Sequence, residues 1–186
     1  MREWLRGLVV RTRCAIFLSM KPCHSLSVAL AVAALVLLPP RLRAADDFKP
    51  VPAHAWKLND VDGKAVSFEQ FKGKVVVLDF WATWCGPCRS EIPGYVELQK
   101  KHGPAGLAVV GVSLDQGGPE VVKKFIAAQK INYQIVMGDE QIAAAFGGVE
   151  AIPTTFIIDR KGTIRYRKMG AMPEEEFEAV LKPFLE

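Results

Sequence analysis

The stretch Val75-Val-Val-Leu-Asp-Phe80 constrains the fold more than any other part of the chain. It is an almost unbroken apolar run rich in β-branched residues, and a helix signal follows it at once. A strand with one wet face alternates apolar and polar residues. A strand apolar on both sides reads instead as one covered on both faces, as in a mostly parallel sheet. LAVVGVSLD, 107–115, repeats the pattern. YQIVM, 133–137, and TTFIID, 154–159, supply two shorter strands, and TIRYRKM, 163–169, alternates as a one-sided edge strand does.

Helical spacing fills the gaps between these runs. Over 88–101, Ile92, Tyr95, Val96 and Leu98 recur at near-helical intervals, and Pro93 inside the segment predicts a kink rather than an end. Pro119 opens a helix carrying Val121, Val122, Phe125 and Ile126 on one side. Asp139 caps a short helix from Ile142 to Phe146. Pro173 opens a last helix with Phe177, Val180, Leu181 and Phe184 inward. At the front, Asp62-Gly63 turns a hairpin within 54–68, and Phe48–Ala53, with Pro50 and Pro52, reads as an irregular lead-in. The expected class is α/β: a mixed central sheet flanked by helices, with an N-terminal hairpin.

The first 45 residues differ in kind. They hold Arg2, Arg6, Arg11, Arg13, Lys21, Arg41 and Arg43 against the single acid Glu3, around the uncharged run SLSVALAVAALVLL, 25–38. That run is short for a spanning helix, which needs roughly 20 apolar residues. With the small residues Ala44-Ala45 after it, residues 1–45 read as a signal peptide or an N-terminal signal anchor, with Met20 as a second candidate start. Residues 46–186 then form the domain, placed in the periplasm or tethered to the outer face of the cytoplasmic membrane. The overall formal charge of +4 belongs to the leader, since residues 46–186 hold 17 Lys+Arg and 19 Asp+Glu, a net of −2. No basic surface is left to suggest nucleic acid as a partner.

Of the four cysteines, only Cys85 and Cys88 lie outside the leader, in Cys85-Gly86-Pro87-Cys88. Two intervening residues suit a redox pair, a metal clip or a structural staple. The staple is weak, because the stabilisation from a cross-link grows with loop length. As a metal clip the pair supplies half of a tetrahedral site, and no further cysteine exists while His54 and His102 are distant in sequence. The redox reading gains from position: the pair sits where a strand gives way to a helix. Free N–H groups and the dipole at that end favour an anion, which lowers the pKa of Cys85 and exposes its thiolate. Cys88, one turn on and more covered, would then resolve the mixed disulfide.

WCGPC, Pro93 five residues past Cys88, and Ile152-Pro153-Thr154 together resemble the thioredoxin fold over roughly residues 50–186. The export signal, an insertion of a helix and a strand between Asp115 and Pro153, and the phrases FWATWCGPCRSEIP and IPTTFIIDRKG are similar to the TlpA/ResA branch of exported thiol-disulfide oxidoreductases. The resemblance implies a Cys85–Cys88 disulfide in the oxidised form and a cis peptide before Pro153. It implies a client surface made by Trp84, Gly86, Pro87, Ile152, Pro153 and Thr154. It also implies that Asp79 moves the proton as Cys88 attacks and that Glu91 tunes the thiols. The chain departs from the pattern at two places: Gly111 replaces the lysine that accompanies thioredoxin's buried aspartate, and Thr154 stands where haem-pathway reductases of the CcmG kind carry glutamate. A peroxidase of the PxxxTxxC type is disfavoured because Ala82 stands three residues before Cys85.

The function so implied is reduction of disulfides in exported client proteins, such as those of cytochrome c maturation or copper-site assembly. The chain would work as a monomer without a cofactor or metal, recharged by a membrane electron donor of the CcdA/DsbD kind. The competing readings are a disulfide oxidase or isomerase and a copper-binding module.

Overall fold

The computed structural model describes residues 50–186, so the leader lies outside the described residues. Its six-stranded sheet runs β1-β8-β7-β4-β5-β6. In chain order these are β1 (Val51–Pro52), β4 (Val75–Trp81), β5 (Leu107–Ser113), β6 (Gln134–Met137), β7 (Thr154–Ile158) and β8 (Thr163–Met169), while β2 (Lys57–Asn59) and β3 (Ala65–Ser67) form the hairpin. The helices are α1 (Gly86–His102), α2 (Pro119–Gln129), α3 (Glu140–Ala145) and α4 (Glu174–Leu185). β4, β5 and β6 are mutually parallel, and β7, β8 and β1 complete the sheet antiparallel. This is a thioredoxin-like α/β arrangement, with α2 and β6 as the added helix–strand unit.

Every residue of β4 and of β5 is buried, which is why both read as apolar on both parities. The two-residue period of a strand then divides their side chains. Val76, Leu78 and Phe80 pack with Trp56, Phe146 and Phe156 on the face covered by the hairpin and α3. Val75 and Val77 pack on the other face with Tyr95 and Leu98 of α1 and with Phe177 and Leu181 of α4. Burying each such aliphatic or aromatic side chain is worth roughly 1.5–3 kcal/mol. By the same alternation Asp79 and Trp81 belong to the α1 face.

Two local expectations are corrected, and the expected hairpin is present. The lead-in is not wholly irregular: Val51–Pro52 pairs with Thr163 and Ile164, so β8 is not the edge of the sheet. The hairpin forms its own two-stranded sheet, tied to the main one by a single bridge from Asp60 to Val136. Finally, β8 is not one-sided. A register shift between Ile157 and Ile158 sets Ile158 opposite Ile164 but Ile157 opposite Tyr166. One extra residue in β8 reverses its parity, so Ile164 faces the α3 side whereas Tyr166 faces the α1 side.

Candidate active site

β4 ends at Trp81 and α1 begins at Gly86, one residue later and two residues earlier than the sequence suggests. The connecting turn is held from beneath. Asp115 accepts from the Thr83 N–H at 2.9 Å, from the Thr83 hydroxyl at 2.5 Å and from the Ser113 hydroxyl at 2.9 Å. Cys85 is the N-cap of α1, with extended backbone (φ −80, ψ 107), and its Sγ accepts from the Cys88 N–H at 3.2 Å. Pro87 lies in the first turn, where its missing N–H has no intrahelical partner to lose.

Cys85 and Cys88 are joined by a disulfide with an S–S distance of 2.07 Å. In this oxidised form Cys85 is 6% exposed, against 2% for Cys88, so both cysteines are covered and Cys85 is the outer of the two. The cover is the loop before β7. Ile152-Pro153 is a cis peptide, and the Ile152 carbonyl oxygen lies 3.7 Å from Cys85 Sγ. Gly86 and Pro87 are exposed, and Trp84 is 69% exposed beside the pair. Thr154 differs from these: it is fully buried, and its hydroxyl donates to the Ala151 carbonyl at 2.6 Å. Its hydroxyl is engaged within the loop. The Pro153 carbonyl is likewise occupied, accepting from the Gly170 N–H at 2.8 Å.

A second group of polar residues is buried on the α1 face. Thr155 donates to Asp79 at 2.8 Å, and its oxygen lies 3.0 Å from the Tyr95 hydroxyl. A hydroxyl has one hydrogen, so with Asp79 ionised the chain of donation runs Tyr95 to Thr155 to Asp79. Burial pushes the Asp79 carboxyl from its ordinary 3.8 up to about 7; the Thr155 hydroxyl opposes this, the nearby Glu91 adds to it, and Lys168 opposes it. Desolvation, reinforced by Asp79 and Glu91, holds the Tyr95 phenol protonated. Glu91 is buried too, accepting through Oε1 from the ammonium of Lys168 and, at 3.0 Å, from the Met172 N–H. Asp79 and Glu91 therefore share one polar cluster, but only Glu91 holds a cation.

Lys168 was not among the residues singled out from the sequence. It is 5% exposed and lies 5.6 Å from the centre of the Phe177 ring. The missing lysine at position 111 also has a structural reason. A Cβ on Gly111 would come within 2.6 Å of Ile135 Cδ1 and 2.8 Å of Trp81 Nε1, so that space is already filled. Overpacking of this kind costs about 1–3 kcal/mol. Gly111→Ala is accordingly expected to lower the unfolding free energy by that amount in urea titration, with an unchanged m-value. Among the described residues no group of three or more His, Cys, Asp and Glu is arranged to hold a metal ion.

Residues 50–167 match the family model described as AhpC/TSA. The chain belongs to the AhpC/TSA family. Within this family it resembles the thiol-disulfide oxidoreductase ResA of Bacillus thuringiensis (strain Al Hakam), 31% identical over 125 residues that cover 67% of this chain and 72% of that protein. The thioredoxin-like protein YneN of Bacillus subtilis (strain 168) is 36% identical over 128 residues, covering 68% and 74%. Among solved structures, a thiol:disulfide interchange protein of the thioredoxin family from Chlorobium tepidum TLS superposes with a TM-score of 0.68 at 36% identity, covering 75% of this chain and 99% of that one. The chain is a ResA-like thiol-disulfide oxidoreductase, and it carries the Cys85–Cys88 pair at the start of α1.

Proposed function

We propose that this chain is an exported protein-disulfide reductase that works through Cys85 and Cys88. The observation that carries the reading is the Cys85 sulfur capping α1: it receives the Cys88 N–H at 3.2 Å, an arrangement that favours negative charge on the outer sulfur once the pair is reduced. In the dithiol form the Cys85 thiolate attacks one sulfur of a client disulfide. The client S–S bond breaks, its other sulfur leaves as a thiolate, and a Cys85–client disulfide forms. Cys88 then gives its proton to Asp79 and attacks Cys85 Sγ. The mixed disulfide breaks, the client leaves as a dithiol, and the chain retains the Cys85–Cys88 bond. Two electrons have passed from chain to client. A membrane electron donor of the CcdA/DsbD kind would return them. The leader, residues 1–45, supports placement beyond the cytoplasmic membrane, as a cleaved signal or as an anchor.

Trp84, Gly86, Pro87 and the half-buried Ile152 form the surface that meets the client, with Pro153 and Thr154, both buried, supporting it from within. Gly-Pro between the cysteines favours a reducing potential near the thioredoxin value of about −270 mV over the DsbA value of about −120 mV. That difference corresponds to roughly 7 kcal/mol for two electrons. Equilibration of the purified chain against glutathione and dithiothreitol buffers, with insulin reduction in parallel, tests the direction. The expected result is a potential below about −230 mV with active reduction; a potential above about −180 mV would make the chain an oxidase or isomerase instead.

A further inference from the structure

The sheet register contains a pattern that runs across five strands. Ile135 of β6 stands opposite Gly111 of β5, Gly111 opposite Asp79 of β4, Asp79 opposite Thr155 of β7, and Thr155 opposite Lys168 of β8. Directly opposed residues project from the same face, so all five share the face on which α1 lies. At Gly111 the space for a side chain is taken by Ile135 and Trp81. At Lys168, on the other flank of Asp79, a buried ammonium is present and paired with Glu91 of α1. The row thus has a neutral, filled end on one side of Asp79 and a cation on the other.

We propose that Lys168 is a positioning residue of the dithiol reaction: its side chain engages Glu91, leaving Asp79 as the buried acid free to take and return the proton of Cys88. This rests on the reductase reading above and adds the residue that assigns its two acids. The groups around the ammonium fit that division. Glu91 of α1 accepts from it and Asp79 of β4 lies within its field, while the phenols of Tyr95 and Tyr133 border the same two acids. α4 presents the Phe177 ring, with Glu174 beside the cavity that Glu91 lines. Lys168 is the one cation among them. Glu91 receives it together with the Met172 N–H, whereas Asp79 receives only the Thr155 hydroxyl. Glu91 is thus engaged by two fixed donors, whereas the hydroxyl on Asp79 is reversible, because the Tyr95–Thr155 pair can turn its donors around when the carboxyl gains a proton.

The test uses the chain with Cys14→Ser and Cys23→Ser, mixed with the aromatic disulfide that places thionitrobenzoate on Cys85, and follows its release by Cys88 in stopped flow between about pH 5 and about pH 9, a range that brackets the raised carboxyl. In the parent chain release rises through a midpoint that Asp79→Asn removes. Lys168→Met leaves two buried carboxylates without a cation, so the midpoint moves up by about one pH unit or more, a tenfold slower release on its acid side. Glu91→Gln removes the anion and leaves the ammonium, so the midpoint moves down. The double variant Lys168→Met/Glu91→Gln lies between the two singles. A Lys168→Met chain that folds and keeps the parent midpoint overturns the proposal. If that variant does not fold, a Glu91→Gln midpoint that stays put or moves up overturns it equally. A parent chain whose midpoint survives Asp79→Asn defeats the proton role of Asp79 itself, and this inference with it. A parent chain that releases no thionitrobenzoate at any pH defeats the reductase reading first.

Discussion

Reduced Cys88→Ser chain mixed with insulin accumulates a covalent adduct through Cys85, visible as a band on non-reducing gels that dithiothreitol removes. The reason lies in the order of the two thiols along α1. Cys85 caps the helix and is the more open sulfur, so it makes the first bond; Cys88 is one turn deeper, and a hydroxyl there cannot break the mixed disulfide. Cys85→Ser, by contrast, forms no adduct when both variants also carry Cys14→Ser and Cys23→Ser, since the thiol then left, Cys88, is buried away from the client. Both variants lose turnover, by roughly three orders of magnitude or more, because residues acting as one unit fail together when either is removed. An adduct of equal yield from both variants would show that the order of attack is not set by the helix start.

The asymmetry between the two cysteines was legible in the sequence because it depends on local rules. An apolar run read to Phe80, a tight turn and a proline one residue before Cys88 place the pair on a helix mouth wherever the rest of the sheet goes. The whole-strand burial of 75–81 and 107–113 was legible for the same reason, since both parities are apolar. Lys168 was hidden by a different kind of fact. Counted by twos from Ile164, it falls on the parity of an inward apolar residue, and a lysine there looks like an error in the strand. The bulge between the partners of Ile157 and Ile158 carries Tyr166 and Lys168 to the α1 face, where a carboxylate waits. Bulges are set by pairing with a neighbour, not by the strand's own residues, and a single sequence has no register to read. The partial closure of Cys85 is of the same type, because the carbonyl that covers it comes from Ile152, 67 residues away. Thr154 shows the converse. Its place next to Pro153 was legible, but β7 is buried on both parities and its hydroxyl donates to the Ala151 carbonyl, a contact that depends on how the loop folds back.

Asp79→Asn is expected to make the oxidised chain more stable at alkaline pH while slowing it as a reductase. Burial raises the Asp79 carboxyl from 3.8 to about 7, so between those values the folded chain binds a proton that the unfolded chain does not. Stability contributed by that proton is fully present below the unfolded value of 3.8 and is lost as pH rises through the folded value of about 7. The difference corresponds to about 4 kcal/mol across the whole range, and about 3 kcal/mol of it falls between about pH 5 and about pH 8. Asparagine keeps an oxygen for the Thr155 hydroxyl, which donates at 2.8 Å, and carries no charge to desolvate. Urea unfolding at the two pH values, parent against variant, therefore separates by about 3 kcal/mol more at pH 8 than at pH 5, in favour of the variant. Release of a mixed disulfide slows by about a hundredfold near neutrality, the scale on which a positioned proton acceptor acts. A variant that gains no stability at pH 8 would mean that the aspartate is already neutral or solvated there, and its burial would then need another purpose. A gain in stability joined to a loss of rate would instead mark Asp79 as an acid kept in the core against its own folding cost, for the proton it moves.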